Sequence, residues 1–214
     1  RITEVVLGVS GPDLRSDIVR AKLPMAGREV TANHMRDVRV AALESFQPQG
    51  REVLHSAPLG FTVDGTAGIK DPRGMFAETL TASFLVVSAP TAGLRNIVQC
   101  VSRSHLDVSA ILAAPYAAGL ACLVEDEAEQ GAMVIDFGAG VTSAAAFWEG
   151  GLLHVETLPM GGSKATSDLA QGLGTTFAAA ERMEPVSAVA VYLRGYALSH
   201  INQETEGRRL MDRA

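Results

Sequence analysis

Cysteine is scarce, with only Cys100 and Cys122 in 214 residues. They stand far apart, with no Cys-x-x-Cys pair and no Cys/His cluster, so a structural zinc site has no support. Both fall on apolar stretches of helical pattern and are expected to be buried free thiols of a reducing compartment. Aromatic residues make up only 5%, which leaves the core to Ala, Val, Leu and Ile. The five histidines, His34, His55, His105, His154 and His200, include no pair at helical ligand spacing and read as structural or surface residues. No apolar run approaches the roughly 20 residues of a membrane span. No secretory signal pattern opens the chain. A soluble, cytoplasmic chain is therefore expected. Positive charge is not in excess: the net charge of -6 argues against a nucleic-acid surface, short of a local basic patch. An initiator Met is also missing. The chain starts at Arg1 directly on a strand pattern, and further sequence is expected upstream.

What is present suits a packed core: 47% hydrophobic and 20% charged residues, with 21 Gly and 9 Pro. Strand patterns cover Ile2 to Val9 and Ile18 to Met25, the second closed by Ala26-Gly27. Thr31 reads as a helix N-cap with acidic and apolar residues behind it, and Met35, Val38, Ala42 and Phe46 recur at helical spacing. Two short strands, Glu52 to His55 and Leu59 to Val63, flank Pro58. Asp64-Gly65 and Asp71-Pro72-Arg73-Gly74 are turns, and Leu80 to Ser88 is a long strand. These make a compact α+β unit of about 85 to 90 residues.

The pattern changes at Pro90. Thr91 to Arg103 reads as a helix, Val108 to Leu112 as a short buried strand, and Tyr116 to Val124 as an Ala-rich helix with Pro115 in its first turn. Strands at Met133 to Phe137, Val141 to Trp148 and Leu152 to Leu158 precede a helix over Gly161 to Leu173. Helices alternating with apolar strands argue an α/β architecture. Glu125-Asp126-Glu127-Glu129 reads as a solvated acidic turn. Val186 to Leu193 fits either a strand or a helix, and Asn202 to Ala214 has no core face.

The chemical signal is Val134-Ile135-Asp136-Phe137-Gly138-Ala139-Gly140-Val141-Thr142-Ser143. A strand delivers an acid, then a hairpin with glycine at two alternating positions. Glycines let backbone approach a ligand and leave N–H groups for an anion. Thr142 adds a hydroxyl donor. Asp136 could hold a hydrated magnesium ion beside phosphates. Alone, such a hairpin is more often only a hairpin. The sequence continues through a turn and a strand to Pro159-Met160-Gly161-Gly162 and a helix, which is the order of the second lobe of actin-fold ATPases. Ser10 and Ser143 have no recognisable His/Asp partners, so a hydrolase triad is unsupported.

With these stretches in order, the chain resembles the FtsA family, the actin-like bacterial cell-division proteins. The likeness also rests on Val5 to Gly11, Arg51 to His55, Phe61 to Gly65, Asn96 to Val101 and Leu123 to Glu127. The run Gly68-Ile69-Lys70-Asp71-Pro72-Arg73-Gly74-Met75 is its most distinctive part. The resemblance covers roughly residues 1 to 183. It implies a partial actin-like ATPase fold, α/β, with an inserted α+β subdomain called 1C, of SHS2 type. Residues 1–88 would be 1C, 89–131 the rest of the first lobe, and 132–214 the start of the second, with 184–214 unassigned. It implies ATP and Mg2+ as cofactors, with Asp136, Gly138, Gly140 and Thr142 in the second phosphate loop, Asp136 on the metal, and Glu181 of Ala180-Glu181-Arg182-Met183 at the ribose. It further implies actin-like polymerisation, with self-association through 1C as a filament or dimer, FtsZ and other divisome proteins as partners, and membrane attachment through a segment not visible in this sequence. The location implied is the cytoplasmic face of the inner membrane at the septum.

Some positions depart from the family. Glu184 and Pro185 stand where the family has a Lys on a continuing helix, so either the site is altered or the sequence is interrupted there. The run Leu193 to Leu198 resembles the family's residues just after that Lys. Ala110 to Pro115 lacks an acid or amide to position water, which predicts weak or absent hydrolysis. Gly207 to Arg213 is basic but has too few apolar residues for a membrane helix. A pilus-assembly actin homologue of PilM type and an active actin-fold ATPase or sugar kinase are the alternative readings. On the first reading, the 214 residues are a partial view of a longer protein.

Overall fold

The computed structural model describes residues 3–46 and 49–183. Contacts divide the chain into two units: residues 1–136 with 143–157, and residues 137–142 with 158 onward. The sequence features at Glu184-Pro185, 186–193, 193–198 and 202–214 lie outside the described residues.

In the first unit, β1 (Glu4–Val9) pairs in parallel with β6 (Asp107–Ala113). It therefore stands apart from the antiparallel sheet of β2 (Arg15–Glu29), β3 (Arg51–Val63), β4 (Thr66–Ile69) and β5 (Phe76–Pro90), whose order is β2-β5-β3-β4. The helix α1 (Ala32–Ser45) buries Val38 and Ala42, with Met35 and Phe46 partly buried beside them. Thr31 is its N-cap, as expected, with the acids Asp37 and Glu44 further along the helix. The Thr31 N–H donates to His34 Nδ1 at 3.2 Å, and the Thr31 hydroxyl lies 3.1 Å from the same nitrogen.

Three expectations for this layer are corrected. Ala26-Gly27 does not end β2. Both residues have positive φ, 52° and 71°, and they form a bulge after which pairing with β5 resumes at Arg28. The two strands around Pro58 are one strand, β3, whose register with β5 shifts at Val53/His55 and again at Pro58/Gly60. At Pro58, β3 pairs only with β5, because β4 joins further on at Phe61 and Val63. A proline without N–H is tolerated on such an edge, beside a bulge. The added strand β4 follows a tight hairpin in which Asp64 and Gly65 both have positive φ and Val63 faces Thr66. Asp-Gly is suited to that turn.

β5 is buried on both faces over Phe84–Ala89. Its even positions, Leu80, Ala82, Phe84 and Val86, join the α1 side. Its odd positions, Leu85, Val87 and Ala89, join a second core with Leu94, Ala145, Phe147 and Val155. Such two-sided burial makes a continuous apolar run rather than an alternation.

After β5 come α2 (Thr91–Ser102), β6, α3 (Ala114–Cys122) and α4 (Glu125–Gln130). Pro115 sits in the first turn of α3. The acidic stretch expected as a turn is the helix α4. Its three first-turn acids complement the helix dipole, and Glu127 accepts the Val124 N–H at 3.2 Å. β6 is half-buried rather than buried. Cys100 and Cys122 are free thiols, but both are exposed, on α2 and α3, which corrects the expected burial. β7 (Ala132–Phe137), β8 (Thr142–Trp148) and β9 (Gly151–Leu158) form a three-stranded sheet.

The second unit holds the β7–β8 hairpin tip, α5 (Gly162–Gly172) and α6 (Phe177–Glu181). α6 packs against α5, with Ala170 and Ala180 buried. Among the described residues no helix is long and apolar enough to cross a membrane.

Candidate functional site

The glycine hairpin is closed by a Gly138 N–H to Val141 carbonyl bond of 3.0 Å. Gly138, Ala139 and Gly140 are exposed. Among the described residues, the Ala139 and Gly140 N–H groups have no acceptor. Two neighbouring donors without acceptors are what an anion requires. The carbonyls of the same stretch are engaged instead. The Gly162 N–H donates to the Gly138 carbonyl at 3.0 Å and the Ser163 N–H to the Ala139 carbonyl at 2.8 Å. The start of α5 thus grips the hairpin by two of its otherwise orphaned donors.

That grip needs a close approach at Gly161. A Cβ there would overlap the Gly138 carbonyl oxygen and sit 2.6 Å from the Ala139 carbonyl oxygen. Thr142 lies at the start of β8, and its hydroxyl donates to the Met160 carbonyl at 2.7 Å. The expected free donor is therefore spent within the protein, and Thr142 keeps only acceptor capacity for a ligand. Gly161 and Met160 carried no assigned role in the sequence. The glycine pair opening α5 is the signal that could have suggested it.

Asp136 is the penultimate residue of β7 and is half-buried. Among the described residues no group of three or more His, Cys, Asp or Glu could hold a metal. A single carboxylate matches a hydrated Mg2+ that takes its other ligands from water and phosphate, and does not match a protein-only cage. Glu181 ends α6 and is exposed. Gly138, Gly140 and Thr142 are thus brought together in one hairpin. Glu181 joins them only through α5, which holds the hairpin at its start and packs on α6.

Ala110 to Pro115 runs from β6 into α3, and Ala113 there is fully buried. Its N–H donates to His55 Nε2 at 2.8 Å. Burial pushes the His55 pKa below its ordinary 6.5. The ring meets Tyr116 edge-on at 4.8 Å, and Tyr116 stacks on Phe147 at 6.1 Å.

Ser10 and Ser143 share a hydrogen bond of 3.2 Å. A second alignment runs from Ser16 to His154 at 3.1 Å and on to Glu156 at 3.2 Å. It is not a nucleophile arrangement. The Ser16 hydroxyl donates to the Val155 carbonyl at 2.6 Å and accepts the Val155 N–H at 3.1 Å, so it ties β2 to β9.

The distinctive run after β4 is built around Asp71, which accepts the Arg73 N–H at 3.1 Å and its Nε at 2.8 Å. The Arg73 guanidinium and N–H hold the Asp71 carboxyl down to about 2. Pro72 is fully buried. The Gly74 N–H donates to the Val30 carbonyl at 2.9 Å, and the Val30 N–H donates to the Met75 carbonyl at 2.8 Å. Lys70 reaches Glu149 at 3.2 Å and Glu129 at 3.6 Å.

Comparison with known proteins places this geometry in a family. Residues 11–88 match the model described as the SHS2 domain inserted in FTSA, and residues 133–207 match the model for cell division protein FtsA. The chain is 41% identical to the cell division protein FtsA of Agrobacterium fabrum over 190 residues, covering 89% of this chain and 43% of the relative. For the FtsA proteins of Pseudomonas aeruginosa and Escherichia coli K12 the identities are 32% and 30%, each covering 86% of this chain and 44% of the relative. The chain thus spans less than half the length of these curated relatives. Among solved structures, a chain of the PilM-PilN type IV pilus biogenesis complex superposes with a TM-score of 0.59 at 18% identity, over 94% of this chain and 59% of that one. That likeness is one of fold. An α/β actin-like fold carrying an SHS2 insert is established by these matches together with the mixed sheets and helices, and the chain belongs to the FtsA family of cell division proteins.

Proposed function

We propose that the protein of which these residues form part is a nucleotide-binding scaffold of bacterial division. It binds ATP with Mg2+, polymerises like actin, and links FtsZ to the cytoplasmic membrane at the septum alongside other divisome proteins. The observation that carries the nucleotide part is the hairpin with two adjacent N–H groups that have no acceptor. The division part is supported by the family.

In this reading the Ala139 and Gly140 N–H groups take a phosphate, and Gly138 keeps the hairpin tight. Asp136 holds a hydrated Mg2+ on its phosphate side, which would neutralise phosphate charge when bound. Glu181 accepts from the ribose hydroxyls. Residues 1–88 act as the 1C subdomain and supply self-association. The stretch 89–131 completes the first lobe, and 132 onward opens the second. No acid or amide in Ala110 to Pro115 can orient water, so hydrolysis is slow or absent and nucleotide serves as a structural ligand.

The test is ATP titration of the full-length protein and its Gly138→Val variant by calorimetry. A Cβ at 138 would lie 2.9 Å from the Val141 carbonyl and open the hairpin. Loss of one charge-assisted hydrogen bond predicts affinity roughly tenfold to a hundredfold weaker. Unchanged affinity removes the phosphate role. In parallel, failure of the full-length protein to bind the FtsZ tail removes the tether.

A further inference from the structure

We infer that Gly161 is a positioning residue for the phosphate hairpin: it carries no side chain, so α5 seats against the hairpin and aims the Ala139 and Gly140 N–H groups at the ligand. The inference rests on the nucleotide reading above.

The Gly138 carbonyl and the Ala139 N–H belong to one peptide group, and the Ala139 carbonyl and the Gly140 N–H belong to the next. No peptide bond among the described residues is cis. In a planar trans peptide the C=O and N–H point in opposite directions. Both carbonyls are held by α5, through Gly162 at 3.0 Å and Ser163 at 2.8 Å. The two N–H groups that lack acceptors must therefore face away from α5. Donation into each carbonyl also polarises the peptide and strengthens its N–H as a donor.

The helix start is thus not the anion site. Its first two donors are spent on orienting the donors of the hairpin. The arrangement depends on Gly161, because a methyl there cannot coexist with the Gly138 and Ala139 carbonyls at their present positions. The φ of Gly161 is -153°, extended backbone open to any residue, so the requirement is one of space alone. The Thr142 hydroxyl fixes the preceding carbonyl, that of Met160, at 2.7 Å, and keeps Gly161 against the hairpin.

The experiment compares full-length wild type with Gly161→Ala and with Gly172→Ala, the latter at the far end of the same helix where a Cβ meets nothing within 4 Å. Each is titrated with ATP and, separately, with adenosine, which lacks phosphate. Gly161→Ala is expected to lose about tenfold or more in ATP affinity while adenosine affinity stays within about twofold, and Gly172→Ala is expected to match wild type with both. A Gly161→Ala variant that binds ATP as wild type does overturns the inference. So does an equal loss of ATP and adenosine, which marks a general structural effect.

Should Gly161→Ala fail to fold, residue-resolved hydrogen exchange on the wild type decides. Without nucleotide the Gly162 and Ser163 amides are protected while Ala139 and Gly140 exchange fast, and ATP protects only the second pair. Fast exchange at Gly162 and Ser163 without ATP overturns the grip. A wild type that binds no ATP removes the nucleotide reading and this inference with it. A wild type that binds ATP beside an unaffected Gly161→Ala removes the inference alone.

Discussion

His55 accepts the Ala113 N–H through Nε2 at 2.8 Å, which requires that nitrogen to be unprotonated. Its pKa is held below 6.5 by burial in the folded state, so the unfolded chain takes up the proton first as pH falls. The contribution of His55 is then complete above 6.5 and is lost as pH drops below it. Thermal unfolding midpoints measured across this range should fall on the acid side. His55→Gln, which keeps an acceptor and cannot titrate, should flatten that slope, and an unchanged slope removes His55 as its source. The same residue marks what sequence could and could not reveal. Its structural role was legible, because it has no ligand partner at helical spacing. Its partner was not, since a backbone N–H 58 residues away carries no residue-type signature. The hairpin repeats the lesson. Gly138 and Gly140 announce it, whereas the α5 grip joins N–H groups to carbonyls and is invisible in side-chain identities. The exposed position of Cys100 and Cys122 was lost for a related reason: apolar neighbours in sequence do not say which helix face each thiol takes.

Among the elements, strands with a single covered face or a β-branched run were found close to their true bounds, as β1 and β7 to β9 illustrate. β3 was not, because Pro58 reads as a breaker unless its neighbour across the edge is known to be absent. β4 was missed because Thr66-Ala67-Gly68-Ile69 is short and centred on small residues. What holds that hairpin is Asp64. Its carboxylate accepts the Glu78 N–H at 3.0 Å and the Thr79 N–H at 2.7 Å, while its backbone sits at φ 47°, a region that Asp and Asn enter more readily than Ala. Asp64→Ala should therefore destabilise the fold by about 1–2 kcal/mol, through lost acceptors and left-handed strain together. Asp64→Asn, which keeps one acceptor and the backbone preference, should cost less. Denaturant midpoints that rank the two variants equal, or both with wild type, would remove this role.

At the scale of the molecule, the first core draws every member from residues 19 to 86, and the matched SHS2 region is 11–88. From this stretch the second core takes Leu14, Leu85 and Val87 of the odd face of β5, and the partly buried Leu54, Ala57 and Leu59 of β3. A fragment of residues 11–90 therefore carries one closed core with its covering helix α1, at a length within the domain range. It should unfold in a single cooperative thermal transition followed by far-ultraviolet circular dichroism. The bared odd face, with Leu85 and Val87 at 1% and 0% exposure in the longer chain, should make the fragment self-associate. Leu85→Thr, a β-former without the apolar bulk, should reduce that association and leave the transition in place, because position 85 lies outside the α1 core. A gradual, non-cooperative loss of signal in both fragments would mean that the SHS2 layer borrows its stability from the second core. The two-faced β5 would then be a shared structural element, and the insert would not be a separable module.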